Sequence, residues 1–160
     1  MHQGHATDPN GAREWLKAQG LVSDDPVAAF NGQGSGVLRE HIYRNPDGSI
    51  NRKSVKLSDE KWRQMRYENG IFIPGVKGAP NVPYGADRLA KDFSDKLAFV
   101  FEGEKDVERA WDNGLLATCN VGGAKNWKDE LNAHLKDRTV CIVPDNDKAG
   151  TNHAQKVYAS

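Results

Sequence analysis

From Lys96 onward the apolar residues come in short blocks separated by amphipathic stretches. Leu97–Phe101, Leu115–Cys119 and Thr139–Val143 have the length and apolar character expected of strands buried on both faces. Each is followed by a helical pattern. Gly103–Asn113 carries Val107, Ala110 and Trp111 at spacings of three and four and stops at Gly114. Asn126–Leu135 places Trp127, Leu131, His134 and Leu135 on one face, and Thr151–Tyr158 follows a loop containing a glycine. Strand followed by helix, three times over, predicts a parallel sheet covered by helices, an α/β fold. The upstream pattern is different. Ala12, Trp15, Leu16 and Gln19 mark a helix over Gly11–Gly20, and Ser23–Gly36 reads as a linker. Val37–Arg44 and Ile50–Leu57 alternate like strands around Asn45-Pro46-Asp47-Gly48, a hairpin signal. Lys61–Tyr67 is basic and aromatic, Pro74–Pro83 is loop, and Gly85–Asp92 is a short helix. These changes divide the chain into a helix and linker (1–36), a small α+β region with the hairpin (37–95) and the parallel α/β domain (96–160).

Composition narrows the class. The 160 residues are 38% hydrophobic and 28% charged, with a mean hydropathy of −0.72. That is polar, yet four Trp, five Phe and four Tyr can seed a core. No apolar run approaches the roughly 20 residues of a membrane span, and no signal-peptide pattern follows Met1. Cys119 and Cys141 lie within strand-like runs without metal-ligand spacing, so they read as buried free thiols of a protein kept in a reducing cytoplasm.

The net charge is zero but unevenly spread. Between Val37 and Lys91 there are eleven Lys/Arg against six Asp/Glu, and between Lys96 and Ser160 nine against ten. The basic surplus gathers at Arg52, Lys53, Lys56, Lys61, Arg63 and Arg66 beside Trp62 and Tyr67. Cationic grooves track a nucleic-acid backbone and aromatics stack on bases, so this segment is a candidate track for single-stranded DNA. A solvated face and a packed Trp62 and Tyr67 are the structural alternatives.

The acidic residues gather at strand ends. In an open parallel sheet, ligands bind where the carboxyl ends of strands meet the following loops. Glu102 follows the first strand, with Glu104 and Asp106 in the next helical turn; Asp145 and Asp147 follow the third. Two carboxylates two positions apart on an extended loop suit a hard cation with oxygen ligands. Gly103 and Gly150 let backbone approach a phosphate or metal. After the second strand, Asn120, Gly122, Gly123 and Lys125 offer N–H groups and an ammonium to phosphate. The structural alternatives are helix caps for the acids and a tight turn for the glycine pair.

The segments FVFEGEKDVERAWDNG, CNVGGAKNW and CIVPDNDKAG together resemble the Toprim domain shared by bacterial-type primases, topoisomerases and some nucleases. Glu102, Gly103 and Asp106, then Asp145, Asp147, Ala149 and Gly150, look most similar to primases and primase–helicases of phages and plasmids. The resemblance implies a Toprim-like, Rossmann-like sheet and Mg²⁺-dependent nucleotidyl transfer, the synthesis of primers on single-stranded DNA. Glu102 would act as acid/base or metal-organising carboxylate. Asp145 and Asp147 would bind Mg²⁺, or Mn²⁺ in its place, with Asp106 assisting. Gly103, Asn120, Gly122, Gly123, Lys125 and Lys148 would face nucleotide phosphates. Partners would be single-stranded DNA, nucleotides and a replicative helicase or other replication protein. The sequence also departs from the pattern. It has no Cys/His zinc ribbon and no helicase P-loop, and the family's further strand would follow Ser160. A non-catalytic Toprim remnant that binds metal, nucleic acid or a partner, and a Toprim nuclease, are therefore the competing functions.

Overall fold

The Asn45–Gly48 turn closes as its residues require. Gly48 N–H donates to Asn45 O at 2.8 Å, and Asp47 Oδ1 accepts from the Ser49 N–H at 2.9 Å and the Ser49 hydroxyl at 2.6 Å, a side-chain mimic of a backbone turn. In the computed structural model, which describes residues 36–92, 97–123 and 126–160, this turn joins β1 (Val37–Arg44) to β2 (Ile50–Leu57). The helix expected at 11–20 and the linker before Gly36 lie outside the described residues.

Two strands add to the expected elements. β3 (Trp62–Glu68) and β4 (Ile71–Pro74) continue the sheet in the order β1-β2-β3-β4. Both β2–β3 and β3–β4 are antiparallel. The tight turn between β3 and β4 is Asn69-Gly70, both at positive φ (51° and 84°), the combination a two-residue hairpin needs.

The chain divides into two compact units, 36–40 with Arg52–Gly78, and His41–Asn51 with Ala79–Ser160. These partitions cut the chain elsewhere than the compositional segments 37–95 and 96–160. The first unit buries Val55 and Met65 and packs Tyr67 on Phe72 with ring centroids 5.0 Å apart.

The second unit contains α1 (Ala86–Lys91) and the alternation β5 (Ala98–Val100), α2 (Glu104–Asp112), β6 (Leu116–Thr118), a 3₁₀ helix (Asp129–Leu135), β7 (Val140–Ile142) and α3 (Lys148–Ala159). The three strands are parallel, in the order β6-β5-β7. Side chains alternate across a strand, so β5 serves two cores. Phe99 packs with Tyr43, Val82, Tyr84, Val107 and Ala117, whereas Val100 packs with Trp127, Leu131 and Val157.

Two expected helices differ in detail. The predicted helix Asn126–Leu135 is shorter and wound as 3₁₀ over Asp129–Leu135, after Lys128 in extended conformation without a side-chain cap bond; with no cap, a short helix readily tightens to that form. Conversely α3 begins at Lys148 rather than Thr151, because Asp147 supplies the missing cap. Cys119 is buried and Cys141 half-buried, both free. Among the described residues, no helix is long and apolar enough to cross a membrane.

Candidate metal and phosphate site

Parallel strands bring their carboxyl ends to one edge, and the candidate residues of the second unit follow those ends. Glu102 comes just after β5, Asn120 just after β6, and Asp145 and Asp147 just after β7. Two of these loops touch: Glu102 Oε1 accepts the Asp145 backbone N–H at 3.1 Å. Gly150 lies in the same corner. A Cβ there would strike Asp145 O and Glu102 Oε1 and stand 2.7 Å from Asp145 N, so only glycine lets α3 start this close. The glycine of the D-x-D-x-A-G pattern thus has a steric reason inside the protein itself.

The acids differ in their duties. Asp147 is the N-cap of α3, its Oδ1 accepting from Gly150 N–H at 2.8 Å, and its carbonyl accepts the Thr151 hydroxyl at 3.0 Å. Asp145 is exposed on the same turn, and Lys148 is exposed at the first position of α3. Asp106 pairs along its own helix with Arg109 at 3.5 Å. Glu104 turns instead to the hydroxyl of Tyr43 (2.8 Å). One helical turn on, Glu108 Oε1 accepts from Tyr84 OH and meets His41 Nδ1, both at 2.8 Å. Burial and the Glu108 carboxylate push the Tyr84 phenol well above its usual range, and burial raises the Cys119 thiol, reinforced by Glu104. Gly103 begins α2 with open space where a Cβ would stand. Among the described residues, no group of three or more His, Cys, Asp or Glu is arranged to hold a metal ion.

The loop after β6 folds around the buried side chain of Asn120. Asn120 Nδ2 donates to Val121 O at 3.2 Å and Gly123 O at 2.8 Å, while Asn126 Nδ2 donates to Gly122 O at 2.9 Å. Gly122 and Gly123 both have positive φ, 79° and 71°, which side-chain-bearing residues resist. In a planar trans peptide the N–H points opposite to the C=O. With the Val121 and Gly122 carbonyls held by the two asparagines, the N–H groups of Gly122 and Gly123 are turned the other way. Lys125 lies outside the described residues.

Two contributors lie beyond the expected set, Asn126 and His153. His153 is fully buried and its Nε2 lies 3.1 Å from Asn120 Oδ1. The helical stripe Gly150, His153, Val157, spaced three and four apart and buried throughout, is the signal that would have exposed it.

The basic segment is placed in the first unit, and its members are not alike. Arg52 and Lys53 are buried, 3% and 2% exposed. Lys53 pairs with Glu40 (3.4 Å), lies over the Phe72 ring (4.5 Å to its centroid), and is held below its usual pKa by burial. Surface cations remain at Lys56, Lys61, Arg63 and Arg66. Lys56 pairs with Glu60, Arg63 with Asp59 at 2.9 Å, and Arg66 with Glu68 at 3.0 Å. Trp62 is 47% exposed and opposes Lys56 across the β2–β3 ladder.

Comparison with known proteins places this geometry in a fold. No family model and no curated protein matches the chain. Its fold is similar to that of a primase domain in the structure of bacteriophage T7 lagging-strand DNA polymerase interacting with primase domains of two gp4 subunits bound to an RNA/DNA hybrid and dTTP. The two share 18% identity at a TM-score of 0.55, over 74% of this chain and 58% of that one. The chain therefore spans less than two thirds of that neighbour's length, and what the likeness establishes is an α/β, primase-like fold.

Proposed function

We propose that this chain is the Toprim-type module of a mobile-element DNA primase, performing Mg²⁺-dependent nucleotidyl transfer to make primers on single-stranded DNA. The observation that carries the reading is the bond from Asp145 N–H to Glu102 Oε1 (3.1 Å), which joins the two acidic motifs at one edge of a primase-like sheet. Mg²⁺ keeps several waters and is usually held by one or two carboxylates together with substrate phosphates. Asp145 and Asp147, exposed on a single turn, meet that requirement without an all-protein cage. They would hold the ion, which when bound supplies positive charge to the phosphoryl oxygens. Glu102, fixed against the Asp145 backbone, would handle the proton of the attacking hydroxyl. The Gly122 and Gly123 amides, with Lys125 and Lys148, receive the nucleotide phosphates. A primed strand needs a template path, for which the exposed Lys61, Trp62 and Arg63 and the half-buried Lys56 and Arg66 are the candidates.

A second reading is a non-catalytic module that binds nucleic acid or a replication partner. The capping bond of Asp147 (2.8 Å to Gly150 N–H) favours it, since a structural acid does the same. The deciding experiment incubates the protein with labelled ribonucleotides and single-stranded DNA under Mg²⁺ or Mn²⁺ and scores synthesis and cleavage together. Primer products lost in Asp145→Asn/Asp147→Asn support the primase. Shortened template marks a nuclease, and neither product marks the non-catalytic module.

A further inference from the structure

His153 is a fully enclosed ionisable side chain beside the proposed site. Its ring stands edge-on to Trp127, 6.4 Å between centroids at 68°. Its Nδ1 is buried and has no hydrogen-bond partner among the described residues. Asn120 settles which ring nitrogen carries the proton. The Asn120 amide nitrogen gives its protons to Val121 O and Gly123 O, so the atom facing His153 is Oδ1, an acceptor only. Nε2 must then be the donor and Nδ1 the bare nitrogen. Burial keeps the ring neutral by lowering its pKa; Glu102 and Asp145 pull the other way, and Lys156 acts with burial.

We propose that His153 is a positioning residue: by donating Nε2–H to Asn120 it fixes the 120–123 loop to α3, the helix that Asp147 caps, so that the Gly122–Gly123 amides and the Asp145–Asp147 turn meet a nucleotide triphosphate as one rigid cradle. The substrate in this inference rests on the proposed function. The chain of bonds does not. His153 holds Asn120 Oδ1, Asn120 Nδ2 holds Val121 O and Gly123 O, and the Val121 carbonyl sets the direction of the Gly122 N–H, while Asn126 holds the Gly122 carbonyl that sets the Gly123 N–H. Removing the histidine donor takes away the partner of Asn120 Oδ1 and so loosens the amide that holds Val121 O and Gly123 O, with no change to any carboxylate.

The test has a wild-type arm and a variant arm. Long-range proton–nitrogen correlation on the full chain at neutral pH should show a protonated Nε2 and a bare Nδ1 on His153; the opposite tautomer, or a charged ring, overturns the proposal. Titration calorimetry with Mn²⁺-ATP should then show His153→Phe, similar in size but without a donor, binding about tenfold more weakly, the scale of losing an orienting partner behind a binding group. Mn²⁺ alone should bind as in wild type. His153→Gln, which restores an N–H donor, should recover most of the affinity. Equal Mn²⁺-ATP affinity in wild type and His153→Phe overturns the proposal, as does a Gln variant no better than Phe. Should His153→Phe fail to fold, the wild-type tautomer and the Gln variant decide. Loss of Mn²⁺-ATP binding in Asp145→Asn/Asp147→Asn but not in His153→Phe sinks the positioning role and leaves the proposed function standing. The reverse result sinks the carboxylate site and leaves the anchored loop.

Discussion

The antiparallel sheet and the parallel sheet of this protein dispose of their charges in different ways. In the first, Lys56, Arg63 and Arg66 each meet an acid two or four residues away, Glu60, Asp59 and Glu68. Tight turns and neighbouring strands bring opposite charges together there, and exposed pairs of this kind contribute little to stability. In the second, parallel strands end on one side and two of the acids after them, Glu102 and Asp147, meet backbone N–H groups instead. Glu102 receives the Asp145 N–H and Asp147 the Gly150 N–H. A neutral backbone donor leaves the acid its full negative charge. A basic surplus in a sequence can therefore be largely paired off in the fold, whereas Glu102 and Asp147 meet neutral donors.

Several substitutions can break or sharpen that contrast. The largest effect is expected at Trp127, 2% exposed within the core beneath β5. Trp127→Ala should destabilise the second unit by about 3–5 kcal/mol, read as a lowered urea midpoint. Gly150→Ala follows, at about 1–3 kcal/mol from overpacking against Asp145 and Glu102. An unchanged melting temperature in Gly150→Ala would show that the two acidic motifs are not in close contact. Asp147 separates cap from charge. Asp147→Ala should cost about 1 kcal/mol, whereas Asn caps nearly as well as Asp. Asp145→Asn/Asp147→Asn should thus melt like wild type while losing Mn²⁺ binding in a calorimetric titration.

A smaller effect concerns nucleic acid. With Arg52 and Lys53 buried, four surface cations of the basic segment remain. Single-strand binding through about four phosphate contacts predicts a log–log salt slope near −3. Arg63→Glu/Arg66→Glu should flatten it, and binding indifferent to that double reversal removes the track. The smallest effect is in pH. His153 and His134 are both held below the usual histidine pKa by burial. Below about pH 6.5 the unfolded chain takes up protons that the folded chain resists, so stability is fully present above that pH and declines as pH falls towards the folded-state values. His153→Phe should show a shallower decline in denaturant midpoint on going from about pH 7.5 to about pH 5.5.

The parts of the fold legible beforehand were those governed by short-range rules. The hairpin Val37–Arg44 and Ile50–Leu57 appears with the same bounds, since Asn-Pro-Asp-Gly encodes its turn locally. The three parallel strands fall within their predicted runs, each trimmed at both ends to three residues. β3 and β4 were legible too, through Asn69-Gly70, but the basic and aromatic residues of Trp62–Tyr67 drew attention to nucleic acid instead of to strand pairing. Buried Lys53 shows why that emphasis misleads. A lysine within alternating strand residues can lie over Phe72 and against Glu40, and nothing in its neighbours along the chain says so.

Sequence alone determined where strands, turns and acidic motifs fall, because hydrophobic period, turn chemistry and residue type act over a few residues. It also carried the acidic and glycine pattern of Glu102, Gly103, Asp106, Asp145, Asp147 and Gly150. Only the tertiary structure decided how these groups are used. The bond between Glu102 and Asp145 spans 43 residues, and that between Asn120 and His153 spans 33. Contacts of that separation depend on the order β6-β5-β7, which brings three distant loops to one edge. Strand order and side-chain direction are properties of packing, and no local spacing rule encodes them.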